Sequence, residues 1–151
     1  MARTLVFDVD YPHPPDRVWA AITSSAAIGE WLMANDFAPE LGRRFQLRAK
    51  PMPGWSGIVD CEVVELEPPG RMVWRWKSDH IDTTVSFTLV PTPTGTRLHL
   101  VHDGFRGPRG HFVSWMMRGW KGILRKRLHG VLERFETIVE GTALTPARSC
   151  R

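Results

Sequence analysis

The feature that most constrains the fold of this sequence is a long amphipathic segment in its last third, from Phe112 to about Glu136. Apolar residues recur there at the three- and four-residue spacing of one helical face. They are Val113, Met116, Met117, Trp120, Ile123, Leu124, Leu128, Val131, Leu132 and Phe135. The opposite face carries Arg118, Lys121, Arg125, Lys126, Arg127 and Arg134. The pattern predicts one helix of roughly 37 Å, at about 1.5 Å per residue, whose apolar face needs an apolar surface to lie on.

Most of the sequence before this helix alternates apolar and polar residues, which is typical of half-buried β-strands. Strands are predicted over 5–11, 43–49, 57–67, 72–77, 84–89 and 97–102, and two short helices over 17–22 and 26–33. The short turns between strands favour antiparallel pairing. This order predicts an α+β fold in which a curved antiparallel sheet of about six strands wraps the long C-terminal helix, with two short helices after the first strand.

The third predicted strand changes its phase midway. Its inward set begins with Val59, Cys61 and Val63 and then moves by one residue to Val64 and Leu66. A shift of this kind predicts a β-bulge near Val63 and Val64, which would bend the sheet.

Length and composition indicate one globular domain without a membrane span. The chain has 151 residues, of which 42% are hydrophobic and 24% charged. No apolar run approaches the roughly 20 residues that a spanning helix needs, and acidic residues interrupt the N-terminus too early for a signal peptide. Cys61 and Cys150 form neither a disulfide framework nor a metal-binding spacing, so we expect a reducing cytoplasm. The net charge of +4 is spread over the last helix rather than grouped in a nucleic-acid motif, so we expect no nucleic-acid partner.

The order of elements, together with particular segments, resembles the START-like superfamily, also called SRPBCC or Bet v 1-like. Within it the sequence is most similar to the C-terminal domain of the activator of Hsp90 ATPase. The segments that carry the resemblance are PPDRVWAAIT at 14–23, IGEWL at 28–32, PELGRRF at 39–45, GIV at 57–59, EPPGRMVWRW at 67–76, GTRLHLVHDGF at 95–105 and the helix from Trp115. The similarity extends over roughly residues 4–136.

The resemblance implies a helix-grip fold, with residues 1–140 as a single START-like domain and residues 141–151 as a flexible tail. It implies less about function, because this fold hosts lipid carriers, hormone receptors, polyketide cyclases and co-chaperones. The full co-chaperone has an additional N-terminal domain, which this sequence does not contain. We therefore expect that ATPase activation does not follow from the resemblance.

The predicted space between helix and sheet is the candidate site. Seven Trp and seven Phe residues are present, and such a load of large rings packs poorly without gaps, which favours an apolar pocket. The residues predicted to line the cavity are Trp31, Phe45, Trp55, Cys61, Trp74, Trp76, Phe87, His102, Phe105, Met116, Trp120 and Leu124.

Among these residues His102 and Cys61 carry reactive groups. Strand alternation places His102 on the face of Leu98 and Leu100, where it is either a hydrogen-bonded core residue or a group that orients a ligand or acts as a general base. Cys61 is predicted to be buried and inert. The remaining histidines do not form a ligand set, so no metal and no cofactor are expected.

Two glycines are also predicted to bear on the site. Gly119 and Gly122 lie inside the helix, where glycine costs roughly 1 kcal/mol relative to alanine. Either close helix–sheet packing or room for a ligand or a bend would explain them.

Three functions are compatible with these residues. The first is a binding domain for a small apolar, lipid-like or aromatic molecule, in which burial supplies the affinity. The second is an Hsp90-linked, co-chaperone-like interaction module, with a filled core and a working outer surface. The third is an enzyme of the polyketide cyclase or aromatase type. An exposed edge strand would also permit a homodimer. The volume of the internal cavity separates the first function from the second.

Overall fold

Seven strands form one antiparallel sheet in the computed structural model, which describes residues 3–79 and 81–134 of the chain. The strands are β1 (Arg3–Tyr11), β2 (Ala34–Asn35), β3 (Arg44–Arg48), β4 (Ile58–Glu67), β5 (Arg71–Ser78), β6 (Ile81–Thr92) and β7 (Gly95–Phe105). Their order in the sheet is β1-β7-β6-β5-β4-β3-β2. Consecutive strands from β2 to β7 therefore pair as neighbours, while β1 pairs with β7 at the edge opposite β2.

Two short helices connect β1 to β2. Helix α1 spans Pro15–Ile22, and its proline lies in the first turn, where the missing amide hydrogen costs nothing. Helix α2 spans Ser25–Trp31, and the side chain of Ser24 accepts a hydrogen bond from the Ala27 amide at its N-terminus. Both helices bury one apolar face, so that Val18, Ile22 and Ile28 are fully enclosed. They cover one end of the sheet beside the C-terminal helix.

The C-terminal helix begins five residues earlier than the sequence pattern predicts, at Gly107 instead of Phe112. Pro108 occupies the first helical turn, a position that suits proline. The helix changes pitch along its length: α3 (Gly107–Met116), a 3₁₀ turn (Met117–Gly119), α4 (Trp120–Gly122), a π-helical segment (Ile123–Leu128) and α5 (His129–Glu133). The predicted end of the helix, with Phe135 and Glu136, lies outside the described residues, as do the predicted tail 141–151 and Cys150.

The predicted β-bulge in β4 is present. Val63 pairs with Trp74 and Glu65 pairs with Val73, so Val64 is the extra residue between them. Val64 itself is 41% exposed, so its predicted inward placement is wrong. The reason is that a bulged residue leaves the alternation of its strand, which resumes with Leu66 opposite Met72.

The main core lies between the concave face of the sheet and the C-terminal helix, as the α+β prediction requires. Trp120, Leu124, Leu128, Val131 and Leu132 supply the helical side of this core, and all are at most 1% exposed. Among the described helices, none combines the length and apolarity needed to cross a membrane. The architecture thus confirms the predicted curved antiparallel sheet around a long helix, with seven strands rather than about six.

Candidate functional site

Most of the residues predicted to line a cavity lie in the interior. Ten of the twelve are at most 5% exposed: Trp31, Phe45, Cys61, Trp74, Trp76, Phe87, His102, Phe105, Trp120 and Leu124. Eight of them carry rings, and these rings, together with Phe37, form two groups of ring contacts between helix and sheet.

The first group, the Trp74 cluster, consists of Trp31, Phe37, Phe45, Trp74 and Phe87. The indole of Trp74 is at its centre, with ring centroids 4.8 Å from Phe87 and 5.1 Å from Phe45. Phe37 and Phe45 meet edge to face at 5.1 Å. Such edge-on contacts are the favoured geometry of packed aromatic rings, so this cluster is held by its own side chains.

The second group, the His102 cluster, consists of Trp76, His102, Phe105 and Trp120. The indole Nε1–H of Trp120 donates to His102 Nδ1 at 3.0 Å, so the imidazole proton lies on Nε2. That nitrogen is 2.8 Å from Thr83 Oγ1, whose hydroxyl donates in turn to the Trp76 carbonyl at 3.0 Å. The chain of hydrogen bonds ties the C-terminal helix to β7, β6 and β5.

His102 is neutral in this environment. It is fully buried, and burial lowers its pKa from 6.5 to about 3, because the charged imidazolium loses its hydration. Both ring nitrogens are engaged in hydrogen bonds within the protein. The geometry therefore matches the hydrogen-bonded core residue, one of the two roles predicted for this histidine.

The indole of Trp74 differs from that of Trp120. Its Nε1–H is buried and has no hydrogen-bond partner among the described residues. An unsatisfied buried donor costs about 1–3 kcal/mol, so the Trp74 cluster contains one polar hydrogen for which no described residue supplies an acceptor.

Cys61 lies opposite Phe45 on β3 and Trp76 on β5. It is 5% exposed, and burial raises the pKa of its thiol, which keeps it protonated and a poor nucleophile. Within residues 3–79 and 81–134, no three His, Cys, Asp or Glu side chains converge as a metal site.

The other two predicted lining residues lie outside the interior clusters. Trp55 is half-buried in the loop before β4 and donates its indole N–H to Ser78 Oγ at 2.8 Å. Met116 is 51% exposed, so its predicted inward placement is wrong. The inward face of the helix passes through Ser114 and Trp120 instead, because the 3₁₀ turn at Met117–Gly119 changes the helical phase.

Gly119 and Gly122 lie on the outer face of the helix. A Cβ atom built on either one meets no atom within 4 Å, so close helix–sheet packing does not explain them. Gly119 ends the 3₁₀ turn, which agrees with the predicted role of a bend.

An open groove lies along β1, on the outside of the core. We call it the β1 groove; its volume is about 560 Å³, and residues 6–9 of β1 and Arg118, Lys121 and Arg125 of the C-terminal helix line it. A second depression of about 380 Å³ continues it past Arg125 to His129. The sequence does not predict this site. Its one signal there is the spacing of the three basic residues, which places them on the helix face opposite the apolar one.

The electrostatics of the β1 groove are one-sided. Asp8 and Asp10 turn to the neighbouring strand, where Asp8 is 2.7 Å from His99 Nδ1 and Asp10 is 2.8 Å from Arg97 Nε. The hydrogen bond from Arg97 lowers the pKa of Asp10. Within the described part of the chain, Arg118, Lys121 and Arg125 have neither an ion pair nor a side-chain hydrogen bond. The groove, which Asp8 also lines, therefore presents three cations that no ion pair within the described residues neutralises.

One end of β1 is fixed to the helix. The hydroxyl of Tyr11 donates to the Leu124 carbonyl at 2.7 Å, and Leu124 belongs to the π-helical segment. Tyr11 is 2% exposed, and burial raises the pKa of its phenol. The bond holds the strand and the helix together at the end of the groove.

An exposed apolar patch adjoins the groove on the same helix. It consists of Phe112, Trp115 and Met116, which are 60%, 60% and 51% exposed. The rings of Phe112 and Trp115 stack with centroids 6.2 Å apart. Since Arg118 follows Trp115 by three residues, the patch and the basic residues of the groove form one continuous side of the helix.

The sequence model of the family described as activator of Hsp90 ATPase homolog 1-like protein matches residues 12–133. Among solved structures, protein MLL2253 from Mesorhizobium loti is similar, with 37% sequence identity and a TM-score of 0.79; the alignment covers 87% of this chain and 98% of that chain. No curated protein sequence matches the chain.

Two further solved structures extend the similarity. DynU16, a putative protein in the dynemicin biosynthetic locus, is 26% identical with a TM-score of 0.72, over 86% of this chain and 47% of that chain. The Aha1 dimer from Colwellia psychrerythraea is 18% identical with a TM-score of 0.73, over 87% of this chain and 96% of that chain. At that identity the second likeness concerns the fold alone.

Proposed function

The chain belongs to the family of activator of Hsp90 ATPase homolog 1-like proteins, and from this membership we propose that it is a protein-interaction module that binds its partner through its outer surface. One observation carries the proposal. Most of the aromatic side chains predicted to surround a ligand pocket contact one another in the interior, while the groove and the apolar patch lie outside. A closely packed interior with an exposed working surface is what an interaction module requires.

The exposed patch supports the proposal. Contiguous exposed apolar residues often mark protein-binding surfaces, and aromatic side chains contribute much of the binding energy at such surfaces. Phe112 and Trp115 are stacked and more than half exposed. Because the family is named for an activator of the Hsp90 ATPase, the partner we propose is a chaperone of the Hsp90 type.

Binding to a purified Hsp90-type chaperone tests the proposal. We expect a complex in biolayer interferometry, weakened about tenfold or more in the double variant Phe112→Ser and Trp115→Ser, since hot-spot aromatics contribute about 2 kcal/mol or more. Val64→Ser, an exposed apolar residue elsewhere on the surface, is the matched control and should bind like the wild type. Absence of a complex, or a double variant that binds as tightly as the wild type, contradicts the proposal.

A second candidate function is the binding of a small apolar or aromatic molecule within the Trp74 cluster. The observation that favours it is the buried Nε1–H of Trp74, which has no partner in the described structure. An apolar molecule with one acceptor oxygen would satisfy this donor while its remaining surface is buried, at about 25 cal/mol per Å². The rings of Phe37 and Phe45 would have to move apart to admit it.

A thermal-shift measurement with 2-naphthoic acid and with decanoic acid tests this candidate. We expect a concentration-dependent rise in Tm for the wild type and a smaller rise for Trp74→Phe, which keeps a ring but lacks the donor. Trp55→Phe, whose indole already has Ser78 as its acceptor, is the control. Equal shifts in all three proteins, or none in any of them, contradict it.

The cyclase or aromatase alternative gains no support from the interior. His102 makes hydrogen bonds through both nitrogens, and the buried thiol of Cys61 is held protonated. Neither group is available to a substrate in this arrangement.

A further inference from the structure

We propose that the β1 groove binds an extended acidic segment of a partner protein, which adds to the sheet as a strand beside β1. The inference deepens the interaction function proposed above and rests on it. It names both the mode of binding, through the backbone of β1, and the chemistry of the partner segment.

The first argument is the open edge of the sheet. Within the described residues β1 pairs with β7 alone, so alternate residues of β1 direct their N–H and C=O groups away from the sheet. The opposite edge, β2, is only two residues long, whereas β1 has nine residues and lacks proline. Short edge strands and prolines are common ways of preventing strand addition. The β1 edge has neither of these protections, and Val6 on it is 52% exposed.

The second argument is the charge beside this edge. Arg118, Lys121 and Arg125 line the groove along residues 6–9 of β1 and have no acidic partner within the described part of the chain. An added strand would direct every second side chain toward them. Those side chains are about 6.7 Å apart, and the three basic residues follow one another at about 4.5 and 6 Å along the helix axis. A segment with acidic residues at alternate positions therefore matches the groove.

A second copy of this chain fits the groove poorly. If β1 paired antiparallel with β1 of a second copy, across a two-fold axis perpendicular to the sheet, both C-terminal helices would lie on the same face of the joined sheet. Their two rows of Arg118, Lys121 and Arg125 would then face each other, and like charges brought together at an interface are unfavourable. An acidic segment replaces this repulsion with attraction.

The exposed apolar patch adds one further feature to the partner. Trp115 precedes Arg118 by three residues on the same side of the helix, and α3 packs against β1. The strand that we propose would therefore carry a large apolar residue next to its acidic part, in contact with Phe112 and Trp115. Strand addition of this kind obtains affinity from main-chain hydrogen bonds and specificity from alternate side chains.

A synthetic peptide tests the inference directly. The probe is a nine-residue, fluorescein-labelled peptide in which valine and glutamate alternate, with one terminal phenylalanine. We expect saturable binding in fluorescence anisotropy and slower amide exchange at residues 6–9 of β1. The triple variant Arg118→Glu, Lys121→Glu and Arg125→Glu should weaken binding about tenfold or more, at up to about fivefold per charge.

A matched control separates the groove from net charge. The variant Arg44→Glu, Lys50→Glu and Lys77→Glu changes the total charge equally at exposed positions outside the groove, and it should bind the peptide within twofold of the wild type. A peptide with lysine in place of glutamate tests the wild-type protein without any substitution, and it should bind at least tenfold more weakly.

Three results would overturn the inference. For the first, two peptides are each N-methylated at alternate residues along one of their two edges. If both bind as tightly as the unmethylated peptide, strand addition is excluded, because it needs free backbone donors. The second is unchanged exchange in β1 when the peptide is bound. The third is a wild-type dimer in light scattering that the acidic peptide does not dissociate. Chaperone binding that survives the triple variant would refute strand addition and leave the proposed function intact. Peptide binding without chaperone binding would support strand addition and contradict the proposed function.

Discussion

The aromatic interior and the β1 groove differ in whether their polar and charged groups have partners within the described structure. In the His102 cluster the Trp120 indole and both nitrogens of His102 are hydrogen-bonded within the protein, and the histidine is kept neutral by burial. In the β1 groove three cations and a strand edge are left without partners in the described structure. Groups satisfied internally contribute to the stability of the fold, whereas groups left unsatisfied at the surface are available to another molecule. The comparison predicts that stability and binding respond to different substitutions.

The largest expected effect is a loss of stability from Trp120→Ala. Removing a fully buried indole costs about 3–5 kcal/mol, and here it also leaves His102 Nδ1 without its donor. Trp115→Ala, five residues earlier in the same helix and 60% exposed, is the matched control and should change the free energy of unfolding by about 0.5 kcal/mol or less. Urea unfolding measures both, and equal losses would show that the interior and the outer face of the helix do not differ as described.

Acid provides the next test of the interior. Between pH 6.5 and 3 the unfolded chain binds a proton at His102 that the folded protein does not bind, so the free energy of unfolding falls as the pH is lowered. From this residue the loss reaches about 2 kcal/mol at pH 5, at roughly 1.4 kcal/mol per pH unit. His102→Gln should flatten the slope of stability against pH, while His99→Gln, half-exposed beside Asp8, should leave most of it. An unchanged slope in His102→Gln would contradict a neutral buried imidazole.

Salt should affect the groove more than the interior. Raising the ionic strength from about 0.05 to 0.5 M shortens the screening length severalfold, so we expect binding of the acidic peptide to weaken about three- to tenfold. The unfolding midpoint should change little, because the interior clusters contain no ion pair among the described residues. Anisotropy titrations and thermal unfolding in the same buffers measure the two quantities. Peptide affinity that is independent of salt would be evidence against a charged groove.

The smallest expected effect is a gain in stability from Gly122→Ala. Gly122 has helical φ and ψ angles of −68° and −38°, and an added Cβ meets nothing within 4 Å. Alanine should therefore stabilise the protein by about 0.5–1 kcal/mol, through its higher helix propensity and a less flexible unfolded chain. Calorimetry would detect the gain, and destabilisation would show that the glycine has a structural role in the groove wall.

Much of the fold could be predicted from the sequence because the alternation of each strand and the periodicity of the long helix are local signals. The bulge at Val64 was predictable for the same reason. The start of the helix at Gly107 was not, since Gly104 to Gly110 contains three glycines and a proline that resemble a loop. Met116 was misplaced because the 3₁₀ turn that changes the helical phase depends on tertiary packing.

The candidate site was harder to predict than the fold. The burial of the aromatic residues followed from their strand positions, but whether they would pack together or leave a cavity depends on side-chain geometry in three dimensions. The β1 groove could not be found from local patterns, because it forms between the first strand and the last helix. Residues 6–9 and Arg118, Lys121 and Arg125 are more than a hundred positions apart.

The hydrogen bond between the Tyr11 hydroxyl and the Leu124 carbonyl links residues 113 positions apart, and this distance has a consequence for synthesis on the ribosome. β1 is made before its partner strand β7 and before the helix that anchors it. A nascent chain must therefore keep β1 without its neighbours until β7 and the C-terminal helix have emerged. Such long-range closure is slow, so β1 remains an unpaired strand during the synthesis of the roughly one hundred residues that separate it from its partners.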